Sequence, residues 1–323
     1  MKRISQLIYV GLFGCLVAPA TGMAVPKVVT DIPPVYALAA EVMDGVAEPS
    51  NVIRPGASPH NYSLRPSEAA ALEGADIVFW VGSELTPWLD RALSNLSKDA
   101  QVVSLLKVDG LTAHTFRESH DDTQDTHSDH GHGHDNEDTH GHNDHDHAHA
   151  HDGLDPHAWL DPVNAQVWLD VIAETLAVAD PMNAEVYREN ARQGQARLDS
   201  LIKDIQVSLA PVADRPYIVF HDAYQYFEHR FDLNMVGSIA LSDAREPSAA
   251  RIANIRRTVE NRCAVCVFAE PQFNQAMVET VLGGTDASMG VIDPLGSAIP
   301  LGPDFYPALI QEMAASLSDC LAP

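Results

Sequence analysis

ADIVFWVG, residues 75–82, is the stretch of sequence that decides the fold. Residues 77–81 are apolar at every position, which predicts a strand buried on both faces. A helical stretch around residues 85–93 follows directly. Doubly buried strands that alternate with helices are typical of a parallel sheet covered by helices, so this stretch predicts an α/β fold.

The same alternation continues on both sides of this stretch. In the first half the further strand regions are KVVTDIP (27–33), SNVIRPGASPH (50–60) and QVVSLL (101–106), and RPSEAAALEGA (65–75) is helical. In the second half they are YIVFHD (217–222), MVGSIA (235–240), CVFAEP (266–271) and MGVIDPLG (289–296). We therefore expect two βα domains, each built on a parallel sheet.

Two helices are expected between these domains. Asp161-Pro162 supplies an N-cap and a first-turn proline for a helix to about residue 179. A second helix, close to thirty residues and roughly 45 Å long, is predicted to begin after Asp180-Pro181 and to continue to about Ala210. The predicted boundaries are 25–160 for the N-terminal domain, 161–210 for the helices, including one long rigid connecting helix, and 211–323 for the C-terminal domain.

The N-terminus, residues 1–24, resembles a cleavable secretory signal peptide. Lys2 and Arg3 precede an apolar run over residues 7–17, which is too short to span a membrane, and small residues follow up to Ala24. The stretch before Cys15 loosely resembles a lipoprotein cleavage box, but Phe13 is bulky for that motif, which argues against a lipid anchor on Cys15. The sequence predicts export, and no transmembrane segment is expected in the mature chain.

Residues 120–152, HDDTQDTHSDHGHGHDNEDTHGHNDHDHAHAHD, hold eleven histidines and ten carboxylates. With almost nothing apolar to bury, this His/Asp-rich loop is expected to be disordered. Imidazole and carboxylate groups at this density predict accessory metal sites. The histidines that we expect to contribute are His127, His130, His132, His134, His140, His142, His145, His147, His149 and His151.

Composition and net charge narrow the range of possible functions. The 323 residues and 46% hydrophobic content suffice for two ordinary cores. A net charge of −25 argues against binding to nucleic acid or an anionic membrane and suits a cationic ligand. Export makes disulfides feasible among Cys263, Cys266 and Cys320, with one cysteine left over.

A metal site is predicted from the rule that ligands bind beyond the carboxyl ends of parallel strands. His60 follows a strand, His157 lies just beyond the His/Asp-rich loop, and His221 ends YIVFH. Glu270 and Asp293 also end strands. Three imidazoles with one oxygen ligand suit tetrahedral Zn²⁺. His229 is expected to face solvent, and nothing in the sequence assigns His114.

Five motifs, in order along the chain, carry a resemblance to a known family. They are PGASPHNYSLRPSEAAALEGADIVFWVG (55–82), DPHAWLDP (155–162), VFHDAYQYFEHRF (219–231), CVFAEPQF (266–273) and GVIDPLG (290–296). They closely resemble the cluster 9 metal-binding receptors of ABC transporters, and in particular the zinc-uptake members of that family. The resemblance covers essentially the whole mature chain.

The resemblance implies two Rossmann-like βα domains joined by one long rigid helix, with Zn²⁺ as the transported ligand. His60, His157 and His221 match the family's histidine ligands, and His221 stands where manganese receptors carry glutamate. Some zinc-uptake members have a glutamate ligand where this chain has Pro59, so the fourth ligand is expected to be Asp293 or water. The family's disulfide maps to Cys266 and Cys320.

The same resemblance implies a monomeric periplasmic receptor that delivers zinc to a membrane permease, with a periplasmic zinc chaperone as a further partner. Two alternatives follow from the residues. Three histidines with an open position also suit a zinc-dependent hydrolase, for which Glu270 is the candidate base. The His/Asp-rich loop alone would suit a metal storage or adhesion protein.

Overall fold

A computed structural model describes residues 24–117, 153–240 and 247–323. The predicted signal peptide, apart from Ala24, and the whole His/Asp-rich loop 120–152 lie outside the described residues. Predictions for the loop histidines, for signal cleavage and for Cys15 are therefore not addressed by the structure.

The first sheet has four strands in the order β2-β1-β3-β4, all parallel. Its elements are β1 (Val28–Thr30), α1 (Pro33–Val42), β2 (Ser50–Asn51), α2 (Pro66–Glu73), β3 (Ile77–Trp80), α3 (Pro87–Leu96) and β4 (Gln101–Ser104). Every residue of β3 is buried, because the strand is central and helices cover both faces. The doubly buried strand predicted from ADIVFWVG is therefore confirmed.

The second sheet repeats this topology with the order β6-β5-β7-β8, again all parallel. Its elements are β5 (Tyr217–His221), α6 (Gln225–Phe231), β6 (Met235–Ala240), α7 (Ala249–Asn261), β7 (Cys266–Ala269), α8 (Ala276–Leu282), β8 (Ser288–Val291) and α9 (Phe305–Leu321). The α/β class with two parallel sheets is confirmed.

Two helices connect the sheets, α4 (Pro162–Ala179) and α5 (Ala184–Leu209). Asp161 caps α4, as predicted, by accepting a hydrogen bond from the Val163 amide at 2.9 Å. Helix α5 has 26 residues, so it is about 39 Å long. It packs against α4, against α1 of the first half and against α9 of the second.

A shared core holds the two halves together. One cluster of buried apolar side chains extends from the first sheet through α4 and α5 to β5 and α9, and a smaller cluster fills the other face of the second sheet. Because the larger cluster is continuous, the two strand-end surfaces have a fixed relation across the cleft between them.

The predicted disulfide is present between Cys266 in β7 and Cys320 in α9. Cys263 is exposed, with a backbone φ of 52°, and precedes β7. Within residues 24–117, 153–240 and 247–323, no helix has the length and apolar character needed to cross a membrane.

Candidate metal centre

Three histidines from distant parts of the chain meet in the cleft. His221 is the last residue of β5, His60 lies in the loop after β2, and His157 directly precedes a 3₁₀ helix over Ala158–Leu160. One ring nitrogen from each lies within 4.8 Å of the others. The ring centroids are 5.4 Å apart for His157 and His221, 5.7 Å for His60 and His157, and 6.4 Å for His60 and His221.

Topology explains the position of His221. Strand β5 is followed by β6 on one side and pairs with β7 on the other, so the connections diverge at the carboxyl ends of β5 and β7. This divergence opens a crevice at the sheet edge. His221 at the end of β5 and Glu270 directly after β7 both lie there.

Buried carboxylates orient two of the three imidazoles. The Nδ1 atom of His157 lies 2.7 Å from Oδ1 of Asp155, and the Nδ1 atom of His221 lies 2.6 Å from Oε1 of Glu270. An ionised carboxylate only accepts hydrogen bonds, so Nδ1 carries the proton in each histidine. In this tautomer Nε2 is the ring nitrogen without a proton, which is the atom that binds the metal in the arrangement common to metal-bound histidines.

The Nε2 atom of His157 is an orphaned polar atom. It is buried and has no hydrogen-bond partner among the described residues. A buried acceptor without a partner costs roughly 1–3 kcal/mol. A metal ion beside this nitrogen would remove that cost, so the site fits a bound cation.

The loop that carries His60 is held in place by two anchors. The indole of Trp88 donates to the Pro59 carbonyl at 2.8 Å. Glu68 accepts from the Tyr62 hydroxyl and from the Arg65 amide, both at 2.7 Å. These contacts position the half-buried His60 over the other two imidazoles.

The walls of the cleft are largely apolar. Trp159, Phe273, Pro294 and Leu295 line it beside the three histidines and leave a space of about 260 Å³ that includes open solvent. The Trp159 indole donates to the Pro294 carbonyl at 2.9 Å, which fastens the His157 segment to the second half. Apolar walls lower the local dielectric and strengthen a charge interaction at the imidazoles.

Asp293 is not part of the histidine group. Its carboxylate accepts hydrogen bonds from the Leu295 and Ser297 amides, the Ser297 hydroxyl and the Gln272 side chain, at 2.5–3.0 Å. Among the described residues, the metal-binding geometry is met by the three histidines without Asp293. Asp293 therefore organises the turn that contains Pro294 and Leu295.

A buried ionic cluster lies behind the site. Arg117 pairs with Glu228 of α6 and lies 3.6 Å from Asp222, the neighbour of His221. Burial raises the pKa of Glu228 to about 7, and the Arg117 guanidinium opposes that shift. Burial also raises the pKa of Asp222, again opposed by Arg117.

Of the two histidines that the sequence left outside the site, His229 is exposed, as predicted, and His114 is half-buried. Burial lowers the pKa of His114 below its ordinary value, and the nearby His229 lowers it further. Among the site residues, sequence reasoning missed Asp155. Its spacing of two residues before His157 was the available signal.

Comparison with known proteins identifies a family to which this sequence is similar. The family model ZnuA, described as zinc-uptake complex component A, periplasmic, matches residues 28–320. The high-affinity zinc uptake system protein ZnuA of Brucella suis biovar 1 (strain 1330) is 46% identical over 308 residues, 91% of each chain. The protein of the same name from Paracoccus denitrificans (strain Pd 1222) is 42% identical over 324 residues, 99% of each chain.

Solved structures agree on the fold. A crystal structure of ZnuA matches with a TM-score of 0.73 and 23% identity, covering 92% of this chain and 100% of that one. The sequence matches extend over nearly the whole chain and include the segments that carry all three histidines. The chain belongs to the ZnuA family of periplasmic zinc-uptake components.

Proposed function

We propose that the protein is a periplasmic receptor that captures Zn²⁺ between His60, His157 and His221 and delivers it to the membrane permease of an ABC transporter. The observation that carries this proposal is the convergence of three imidazole nitrogens within 4.8 Å in a partly apolar cleft. Membership of the ZnuA family supports zinc as the cargo and a transport receptor rather than an enzyme.

The donor set favours zinc over harder cations. Imidazole nitrogen suits Zn²⁺, whereas Mg²⁺, Ca²⁺ and Mn²⁺ prefer oxygen ligands. Asp155 and Glu270 are each about 1% exposed, and a divalent cation beside their histidines would offset these buried negative charges. The site therefore suits a cation that binds three neutral imidazoles.

We propose that water completes the tetrahedron. The sequence left Asp293 or water as the fourth ligand, and the carboxylate of Asp293 already accepts four hydrogen bonds. Releasing those bonds would cost free energy that a water ligand does not require. A water ligand can also be replaced by an incoming donor atom when zinc is released from the site.

The His/Asp-rich loop is proposed to be an accessory, low-affinity zinc collector or sensor. Its composition supports this role, and its position in sequence, ending five residues before His157, suits local transfer. Monomeric action, a zinc chaperone partner, cleavage of residues 1–24 and the division at residues 160 and 210 stay predictions.

The test is zinc competition against a fluorescent chelator, measured on the zinc-free protein. His157→Ala and His221→Ala should each weaken the tight site by at least about 100-fold, because each removes a ligand from a set of three. His120→Gln, which removes one imidazole from the His/Asp-rich loop, is the matched control and should leave the tight site unchanged.

Deletion of residues 120–152 separates the alternatives. A receptor keeps one tight site after the deletion, whereas a storage protein loses nearly all zinc binding. Hydrolytic turnover that disappears in His221→Ala would support the hydrolase instead and contradict the receptor.

A further inference from the structure

A second pair of imidazoles lies outside the cleft. His114 belongs to the segment before residue 118, and His229 lies in the last turn of α6. Their rings stack with centroids 4.4 Å apart and an interplanar angle of 28°. We call these two residues the histidine pair. It joins the segment that precedes the His/Asp-rich loop to a helix of the second half.

The backbone around His114 is fixed. Thr115 forms an antiparallel bridge with Leu154, and the His114 carbonyl accepts from the Asp155 amide at 2.8 Å. The His114 amide donates to the Tyr226 hydroxyl at 3.1 Å, which in turn donates to the Asp155 carbonyl at 2.8 Å. The histidine pair is thus anchored to the residue that orients His157.

The ring nitrogens of the histidine pair are chemically available. One ring is half-buried and the other exposed, and the described part of the chain supplies no hydrogen bond to a ring nitrogen of either. Nearby cations are already paired, Arg117 with Glu228 and Arg230 with Asp161 at 2.7 Å. A metal ion at the histidine pair would therefore meet little uncompensated positive charge.

We propose that His114 and His229 bind a second, weaker divalent transition-metal ion, with Zn²⁺ as the ligand and water at the remaining positions. Tetrahedral Zn²⁺ at 2.0–2.1 Å from each nitrogen needs the two nitrogens about 3.3 Å apart. The stacked rings do not point their in-plane lone pairs at one ion, so binding requires the exposed His229 side chain to change rotamer while His114 stays in place. The proposal does not depend on what binds in the cleft.

The test follows the imidazole resonances of the full-length protein by NMR with ¹⁵N-labelled histidine during zinc addition. Signals that are lost in His114→Gln and in His229→Gln identify the histidine pair. In the unmodified protein, both signals should shift to zinc-bound values at higher zinc concentrations than the signals of the cleft histidines. Signals of the histidine pair that do not respond to excess zinc would overturn the proposal.

Binding of one zinc ion by both rings is tested most directly by removing one ring and following the zinc response of the other. In His114→Gln, the His229 signal should shift only at a free zinc concentration at least about tenfold higher than in the unmodified protein. The reason is that His229 then binds the ion without a second protein ligand. His120→Gln removes an imidazole elsewhere and should leave that response unchanged. An equal response of His229 in both variants would mean that the two rings only pack together. The cleft signals report separately on the function proposed above.

Discussion

At the scale of single residues, the candidate metal centre depends on the carboxylates that are hydrogen-bonded to two of its imidazoles. Asp155 accepts a hydrogen bond from Nδ1 of His157, and Glu270 accepts one from Nδ1 of His221. Both rings are therefore fixed in the tautomer in which Nε2 carries no proton. Asp155 also accepts from the His157 amide at 3.0 Å, which fixes the backbone of the ligand as well as its ring. One carboxylate therefore sets both the orientation and the tautomer of His157.

Asp155→Asn should weaken zinc binding by about 10–100-fold, because an amide holds the imidazole less strongly and can present its NH₂ group to Nδ1. Competition against a fluorescent chelator measures the change. Asp199→Asn is the matched control, since Asp199 is exposed on α5 and pairs with Gln166. Equal affinities for Asp155→Asn and the unmodified protein would contradict the positioning role.

The ligands were predictable from sequence to different degrees. His221 and Glu270 follow apolar strands, so the strand-end rule found them. The same rule selected His60 because its loop follows a strand, but the path of that loop depends on Trp88 and Glu68, which the sequence alone does not specify. The hydrogen bonds of Asp293 depend on a turn whose geometry the sequence does not specify.

At the scale of elements, α5 begins later than predicted. Asp180 accepts from the Asn183 side chain at 2.7 Å and from the Tyr187 hydroxyl at 2.9 Å, so residues 180–183 form a turn and the helix starts at Ala184. On this helix Val186 is 41% exposed, whereas the neighbouring Tyr187 is fully buried. The helix turns the face that carries Tyr187 toward the core, because the Tyr187 ring is a larger apolar surface than the Val186 side chain.

Gly194→Ala should lower the free energy of unfolding by about 1–3 kcal/mol, although alanine has the higher helix propensity. A Cβ atom at residue 194 would lie within 3 Å of the Glu41 carboxyl group and of Leu169, because α5 packs closely on α1 and α4. Urea unfolding measures the change.

Ser200→Ala is the control for this substitution, since Ser200 is exposed on the same helix. It should change stability by no more than about 0.5 kcal/mol. A stabilising effect of Gly194→Ala would mean that α1 and α5 can separate without cost.

The disulfide ties a central strand to the last helix. The double variant Cys266→Ala, Cys320→Ala should lower the free energy of unfolding by about 2–5 kcal/mol, because it frees a loop of 54 residues in the unfolded chain. Cys263→Ala, at an exposed thiol, should change it by at most about 0.5 kcal/mol in the same urea titration. Similar losses in both variants would contradict this account.

At the scale of the whole molecule, buried carboxylates make stability depend on pH. Burial raises the pKa of Asp31 and of Glu41 to about 7, and for Glu41 the Arg197 guanidinium opposes the shift. The folded state then holds more protons than the unfolded state between about pH 4 and 7. These groups therefore favour folding at acidic pH, and their contribution falls as pH rises through that range.

Glu41→Gln should flatten this dependence. The difference in unfolding free energy between pH 5 and pH 7.5 should shrink by about 1–3 kcal/mol in the zinc-free protein, since glutamine does not titrate. Urea unfolding at the two pH values measures it, and Glu174→Gln, exposed on α4, is the control. An unchanged pH difference in Glu41→Gln would contradict the assignment.

The architecture as a whole was predictable because apolar strands and helix caps are local features. Parallel pairing, both sheets and the Asp161 cap follow from short stretches of sequence. The shared core was not predicted, since it depends on how α4, α5 and α9 pack together far apart in sequence. That packing decides how the cleft holds its three histidines.

The repeated strand order has a consequence for how the chain divides its work. Thr30 ends β1 as His221 ends β5, and Asp31 and Asp222 follow them. In the first sheet, Asp31 accepts from the Val81 amide at 2.8 Å and so clasps the junction between β1 and β3. The equivalent junction in the second sheet carries an imidazole and its carboxylate. The same strand-end junction therefore stabilises the sheet in the first half and carries a candidate metal ligand in the second.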